Sequence, residues 1–321
     1  MTELRNNPIV SVIIPCYNYW AFLPETCKSL LEQSFRDWEC ILINNGSFRD
    51  TRAALEPFIN ADSRFIYLES ENNGPSAARN DGLKIARGKY IQFLDADDRL
   101  ANEKLTEHVK VLDQKTDTDL VYGPVKYFTS DFPEETRKQI MDLSDAGKNG
   151  HEGTGKDLFH ILIRKNIFVI NAPLFRKTIL DKAGYFNENL KQLEDWELWM
   201  RCSAFIRKFS YCKVDKTSAL VRFHAGSLSR DTSGMRSHYL AVMLMQFRPF
   251  KVSFKDLLYI IVRLEEDLTN ALLNKKRKVL FRTLDHLVVS LHGFVKYLFF
   301  CILLPFFFPF YLLIRLYRGF Q

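Results

Sequence analysis

No C-x-x-C pair occurs among the six cysteines of this chain, Cys16, Cys27, Cys40, Cys202, Cys212 and Cys301, so none of the paired spacings typical of metal or redox sites is present. A chain of 321 residues can bury a core without disulfide staples. The thiols therefore read as buried small hydrophobes, reduced in a cytoplasmic protein. No secretory leader is visible either: residues 1–8 are short and polar, and the apolar run Ile9 to Pro15 has the length of a strand. Net charge is missing where a nucleic-acid binder needs it. From Asp231 onward there are 13 Lys and Arg against 6 Asp and Glu, which holds the whole +7 and leaves 32 of each sign in the first 230 residues. A neutral body with a basic tail does not look like a nucleic-acid binder, whose basic residues should lie on the folded domain. A basic tail suits an anionic membrane surface instead. Internal repeats are absent. With 47% hydrophobic residues, a packed core is expected and disorder is not.

Alternation dominates the first 130 residues. Short β-rich runs at Val10–Pro15, Trp38–Ile43, Phe65–Leu68, Tyr90–Leu94 and Leu120–Phe128 read as five strands. Between them, helical spacing covers Ala21–Ser34, Asp50–Ile59, Pro75–Ala86 and Asn102–Gln114, with Leu23, Cys27, Leu30 and Leu31 on one face of the first. Pro75 sits near a helix start, where its missing N–H costs nothing. Strands alternating with helices predict an α/β fold, a mostly parallel sheet flanked by helices. Continuous apolar runs agree, because strands covered on both faces lose their polar alternation. Residues 130–155 are charged and poor in hydrophobics, which predicts a mobile loop near the acceptor. Helices then follow at Asp157–Arg164, at Arg176–Ala183 closed by Gly184, and at Asp195–Phe205, and Tyr211–His224 reads as a strand.

The organisation predicted is a domain over residues 1–230, a basic amphipathic helical arm over 231–292 and a membrane-associated or transmembrane segment over 293–321. Tyr297 to Ile314 is an unbroken apolar run of 18 residues, flanked by Lys296, Arg315 and Arg318, with Lys275, Lys276, Arg277 and Lys278 upstream. Eighteen residues are just enough to span a bilayer. Pro305 and Pro309 allow a second reading in which the segment re-enters or lies in the interface. A buried soluble helix is the bland alternative, and seven Phe between Phe294 and Phe310 argue against it.

Chemistry concentrates at strand ends. Asp95, Asp97 and Asp98 follow the Tyr90–Leu94 strand, and ligands of open α/β sheets sit at the carboxyl ends of strands. Three carboxylates there suit a hard cation, Mg²⁺ or Mn²⁺, bridging a nucleotide diphosphate. An acidic turn that caps the next helix is the competing reading. Other ligand-like residues share that edge: Pro15, Tyr17 and Asn18 after the first strand, and Asn44, Asn45, Gly46 and Ser47 after the second. Gly74 opens the third helix and Arg79 follows, a suitable place for diphosphate.

The order VSVIIPCYN, Phe22 to Glu39, NNGPSAARNDG, ARGKYIQFLDADD, Gly184-Tyr-Phe186, Leu193-Glu-Asp-Trp-Glu-Leu-Trp199 and Val221-Arg-Phe-His224 resembles the family 2 glycosyltransferases with their GT-A fold, over residues 9 to 230. The resemblance implies an inverting, hexosyltransferase-type enzyme that moves a sugar from a nucleotide-diphosphate donor, UDP-sugar first among them, to a lipid-linked or polysaccharide acceptor. It implies Asp195 as the base, with Glu194 beside it raising its pKa. Pro15, Tyr17, Asn18, Asn45, Gly74, Arg79, Asp95 and Asp97 would bind the donor, and Asp97, Asp98 and His224 the metal. An ordinary strand histidine and an acidic helix start are the bland readings of His224 and the Glu194–Asp195 pair. Trp196 and Trp199 fit core packing better than sugar stacking. The tail places the domain on the cytoplasmic face of the plasma membrane, with no nucleic acid as partner. One departure stands out. The family reads Asp-Asp-Gly-Ser where this chain has Asn44-Asn45-Gly46-Ser47. An Asn both accepts and donates but brings no charge, which puts the uridine assumption in doubt. It also motivates the rival reading, an inactive nucleotide-sugar-binding member acting as a partner protein. A nucleotidyltransferase would want a basic phosphate loop after the first strand, and Pro15-Cys-Tyr-Asn offers none.

Overall fold

The computed structural model describes residues 7–47, 51–129, 136–137, 150–190 and 192–224. The expected helical arm, the apolar run at 297–314 and most of the expected loop at 130–155 lie outside them. Among the described residues no helix is long and apolar enough to cross a membrane.

Strands β1 (Val10–Cys16), β2 (Trp38–Asn45), β3 (Phe65–Ser70) and β4 (Tyr90–Phe93) are all parallel. Helices α1 (Leu23–Leu31), α2 (Thr51–Ala61) and α3 (Gly74–Ile85) connect them. β1 pairs with β2 from Val10 opposite Trp38 to Cys16 opposite Asn44, and on its other side with β4. Every residue of β4 and all but one each of β1 and β2 are buried, as expected for strands covered on both faces. Val12, Ile14, Cys40 and Leu42 pack with Leu23, Cys27 and Leu30 of α1. The opposite face receives α3, and Gly82 lets it come close: a Cβ there would stand 2.6 Å from Ile13 Cγ2 and 3.0 Å from Ile43 Cδ1.

The second half departs from simple alternation. After the two-residue β5 (Arg99–Leu100) and helix α4 (Lys104–Gln114), the expected strand Leu120–Phe128 is two strands, β6 (Thr118–Tyr122) and β7 (Val125–Thr129), in different sheets. Gly123 and Pro124 separate them; proline cannot donate to a ladder, and a Cβ on Gly123 would meet the Thr217 carbonyl at 2.8 Å. β8 (Thr136–Arg137) pairs with β7. Gly153 and Thr154, expected in the loop, form β9 (Gly153–Thr154), and Thr154 and Asp157 make a reciprocal capping box at the start of α5 (Gly155–Leu162). A strand the sequence did not reveal follows: β10 (Pro173–Arg176) runs antiparallel between β4 and β6 and joins the two halves of the sheet. Helix α6 (Lys177–Ala183) ends at Gly184, whose φ is +80°. Helix α7 (Glu194–Ser203) precedes β11 (Lys208–Tyr211), a 3₁₀ turn at Asp215–Thr217 and β12 (Ala219–Phe223). The expected single strand Tyr211–His224 is thus broken, and the charged residues Lys213, Asp215 and Lys216 lie in the break.

The eight-stranded sheet has the order β3-β2-β1-β4-β10-β6-β11-β9, and a second sheet of four has the order β5-β12-β7-β8. Strand order reverses between β1 and β4, which opens a crevice above their carboxyl ends. The five described cysteines outside Cys301 are free and buried. Trp199 is fully buried and stacks on Phe175 at 4.8 Å, so this tryptophan belongs to the core.

Candidate functional site

The residues at this crevice come from four loops. After β1, Asn18 takes φ +60°, and its N–H donates to Ser47 Oγ at 3.1 Å; the Ser47 N–H donates to Asn44 Oδ1 at 3.2 Å. The loops after β1 and β2 are thereby tied together. Asn45 is buried: its Oδ1 accepts from the Asn73 N–H at 3.3 Å, and its Nδ2 donates to Asn72 Oδ1 at 3.4 Å. An aspartate could satisfy the first bond but not the second, so the neutral residue matches its neighbour here. Gly74 begins α3 with φ +89°, and a Cβ there would meet nothing within 4 Å, so this helix end stands open. Pro15 lies in β1 and Tyr17 just beyond it.

The acidic turn after β4 is the centre of the arrangement. The Asp97 carboxylate lies 2.9 Å from His224 Nε2, which brings the end of β12 to the end of β4. Tyr19 and Phe22 flank that imidazole, with ring centroids 5.8 Å and 5.1 Å away. Burial raises the Asp97 pKa, the Asp95 charge adds to it, and His224 opposes it. Asp98, expected beside Asp97 as a ligand, is placed differently. It is buried, one carboxylate oxygen accepts from Asn171 Nδ2 and the other from the Arg222 backbone N–H at 2.7 Å. Burial, then Asp97 and Asp95, push its pKa well up.

Arg79, expected on the donor diphosphate, is placed in a buried bridge. Its Nη2 donates to Asp95 Oδ1 and its Nη1 to Glu194 Oε1, each at 2.8 Å. Burial works against its charge, but the two carboxylates hold its pKa above the ordinary guanidinium value. One guanidinium therefore links the acidic turn to the first turn of α7. Asn80, its neighbour, pins the Gly184-Tyr-Phe186 segment, accepting from the Phe186 N–H at 2.8 Å and donating to the Phe186 carbonyl at 3.0 Å.

Asp195 opens α7, where the unpaired N–H groups of a helix start favour negative charge. Its carboxylate accepts from the Trp196 N–H at 2.6 Å and from Asn166 Nδ2 at 3.4 Å. Burial first and the Glu194 charge second raise its pKa to about 7, in the range useful to a general base. Leu193 before them holds φ +60°, a conformation costly for a branched side chain and common near functional sites. Trp196 anchors the helix by donating from Nε1 to the Leu162 carbonyl at 2.9 Å.

The donor set fits a hard divalent cation. Asp97 is largely buried beside His224, and the charge of Asp95, itself paired with Arg79, still raises its pKa, an arrangement that a cation would relieve. Among the described residues no three His, Cys, Asp or Glu side chains form a ready cage. Mg²⁺-type sites commonly use one or two carboxylates and leave the remaining positions to substrate phosphates and water. Sequence reading did not single out Asn171, Asn166 or Glu25. Arg222 stood in the Val-Arg-Phe-His run without a role.

A mostly parallel open sheet flanked by helices, with a switch-point crevice and an acidic turn at its strand ends, is a GT-A-like α/β fold. The Glycosyl transferase family 2 model matches residues 11–184, and the chain belongs to that family. It is 40% identical over 200 residues to the uncharacterized glycosyltransferase EpsJ of Bacillus subtilis, covering 59% of this chain and 54% of EpsJ. An uncharacterized glycosyltransferase of Rickettsia conorii is 30% identical over 233 residues, covering 70% of this chain and 34% of that protein. The chain thus spans about a third to a half of the length of these relatives. Among solved structures, S. aureus TarS 1-349 in complex with UDP superposes with a TM-score of 0.59 at 21% identity, covering 76% of this chain and 67% of that one. The mannosyltransferase PcManGT of Pyrobaculum calidifontis, in complex with GDP-Man and Mn²⁺, gives 0.54 at 17% identity, covering 89% and 76%. These structural likenesses establish the fold.

Proposed function

We propose that this chain transfers a sugar from a nucleoside-diphosphate donor to an acceptor hydroxyl, with Asp195 as the base. The carrying observation is the Arg79 bridge, which holds the acidic turn and the Asp195 helix to one guanidinium at 2.8 Å on each side. Donor-binding and proton-accepting groups are thereby set at fixed separation, and position is most of what a displacement of this kind needs. Structural neighbours bound to UDP, to UDP-GlcNAc and to GDP-Man with Mn²⁺ support a nucleotide-sugar donor in the crevice.

Asp97 and His224 would hold Mg²⁺ or Mn²⁺, with Asp95 facing the same space. The bound ion supplies positive charge that stabilises the departing diphosphate. Asp195 takes the proton of the acceptor hydroxyl while that oxygen bonds to the anomeric carbon. The bond from that carbon to the diphosphate oxygen breaks, and the nucleoside diphosphate leaves with the electron pair. Attack opposite the leaving group inverts the anomeric centre. Pro15, Tyr17, Asn18 and Asn45 line the base and ribose end, and the open start of α3 at Gly74 faces the donor. A membrane-anchored acceptor, lipid-linked or polysaccharide, on the cytoplasmic face of the plasma membrane follows from the basic apolar tail. A B. subtilis relative, TuaG, 38% identical over 111 residues, carries a teichuronic acid biosynthesis name, which favours a polysaccharide acceptor.

The test is calorimetric donor binding by the full chain, with and without Mn²⁺, across uridine, guanosine, thymidine and cytidine diphosphate sugars. Mn²⁺-dependent binding of one donor is expected, and Asp97→Asn abolishes it. Binding of a donor without any transfer would favour an inactive nucleotide-sugar-binding partner protein. No binding at all would overturn the reading.

A further inference from the structure

The turn from Asp95 to Asp98 is held from three directions, and the side chain of Asn171 holds both of its ends. Thr26 Oγ1 of α1 donates to the Ala96 carbonyl at 2.9 Å. From β12, Arg222 donates its backbone N–H to Asp98 and its Nε to the Asp97 carbonyl at 2.8 Å, while its Nη2 reaches Glu25 Oε2 at 2.6 Å. Asn171, fully buried in the approach to β10, does the rest: its Oδ1 accepts the Asp95 N–H at 2.9 Å and its Nδ2 donates to the Asp98 carboxylate. Its own backbone is fixed in turn. The Asn171 carbonyl accepts from Gln92 Nε2 at 3.0 Å, and the next carbonyl, of Ala172, accepts from buried Lys104 Nζ at 2.6 Å.

We propose that Asn171 is a positioning residue for the donor and metal site, and that Asp98 is its partner in the frame and not a ligand. The inference rests on the reading of the crevice given above. With Asp98 turned inward on Asn171 and Arg222, the turn presents Asp95 and Asp97 to the crevice, and Asn171 sets their spacing by holding the Asp95 N–H and the Asp98 carboxylate on one rigid amide. An amide accepts at one end and donates at the other whatever the pH. Residues that orient ligands without touching the ion commonly govern affinity by about 10- to 100-fold.

The pair allows a test in which donor and acceptor exchange places. In N171D a second carboxyl group faces that of Asp98, and the two can meet only as a repelling pair or by sharing one proton, so the amide's fixed donor and acceptor ends are lost. In the double variant N171D/D98N, the carboxylate now at position 171 accepts from the Asp95 N–H and from the amide now at position 98, whose oxygen accepts from Arg222. Every hydrogen bond and the total charge are kept. Binding of Mn²⁺ to the full chain is followed by electron paramagnetic resonance with UDP, GDP, dTDP and CDP in turn. N171D is expected to weaken Mn²⁺ binding by about 10-fold or more. The double variant is expected to return binding to the wild-type range. Unchanged binding in N171D overturns the inference. So does a double variant that fails to recover: if it is folded, the charge of Asp98 itself is required, and if it is not, the exchanged hydrogen bonds do not hold the turn as inferred. If the wild-type chain binds no Mn²⁺ with any of the four, the reading of the crevice falls and this inference with it.

Discussion

Asp195 shows how one side chain takes its chemistry from its surroundings. Desolvation and the neighbouring Glu194 charge lift its pKa to about 7, while the Trp196 N–H, Arg79 and Asn166 pull the other way. The carboxylate is the active form of a base, so transfer should rise with pH through about 7 and then level off. Asp195→Asn should lose about 10²- to 10⁴-fold in rate and keep donor affinity; surviving transfer in that variant would move the base elsewhere. Stability runs in the opposite direction. A folded pKa above the unfolded one, about 3.9 for Asp, gives stability that is full below that value and lost as pH rises through about 7. Thermal melts should therefore show Asp195→Asn gaining on the wild type more at pH 8 than at pH 5. That Asp97 and His224 would meet was legible because each sits in a short run that resembles the family's motifs, and the fold brings the two runs together. Asn171 was not: it lies 73 residues from Asp98 in the chain, in a stretch with no motif, and only the fold brings it there.

Elements were legible where periodicity and length agreed. α1, α3 and β1 to β4 follow the expected spacing because each is buried along a face that a 3.6- or continuous-run pattern marks. β10 escaped because it is four residues long, begins with proline and ends with arginine. The false continuity of Leu120–Phe128 came from weighing apolar content over Gly123-Pro124, a pair that marks a turn. Close approach of elements brings a further expectation. Gly82→Ala would place a Cβ 2.6 Å from Ile13 Cγ2, pushing α3 from the sheet. Overpacking of this kind costs about 1–3 kcal/mol. Because the open end of α3 carries Gly74, donor affinity measured by calorimetry should fall together with the melting temperature; an unshifted melting temperature would mean that Ile13 turns aside freely.

At the scale of the whole chain, the charge is segregated: all of the net +7 falls after residue 230. On the proposed membrane role, removing residues 291–321 should release the protein from vesicle pellets, and raised salt should release it further. A truncated chain that still pellets would assign retention to the basic stretch around Lys275–Lys278. Sheet order has a consequence for synthesis. β4 gains its second neighbour only with β10, and β6 has both of its neighbours, β10 and β11, later in sequence. On the ribosome, then, the first half of the sheet waits with open ladders until residue 176 has emerged. Exposed strand edges of that kind invite pairing with other chains. The short antiparallel strand that joins the two halves of the sheet is thus also the closing stitch of folding, and a nascent chain stalled before it would be a client for chaperones.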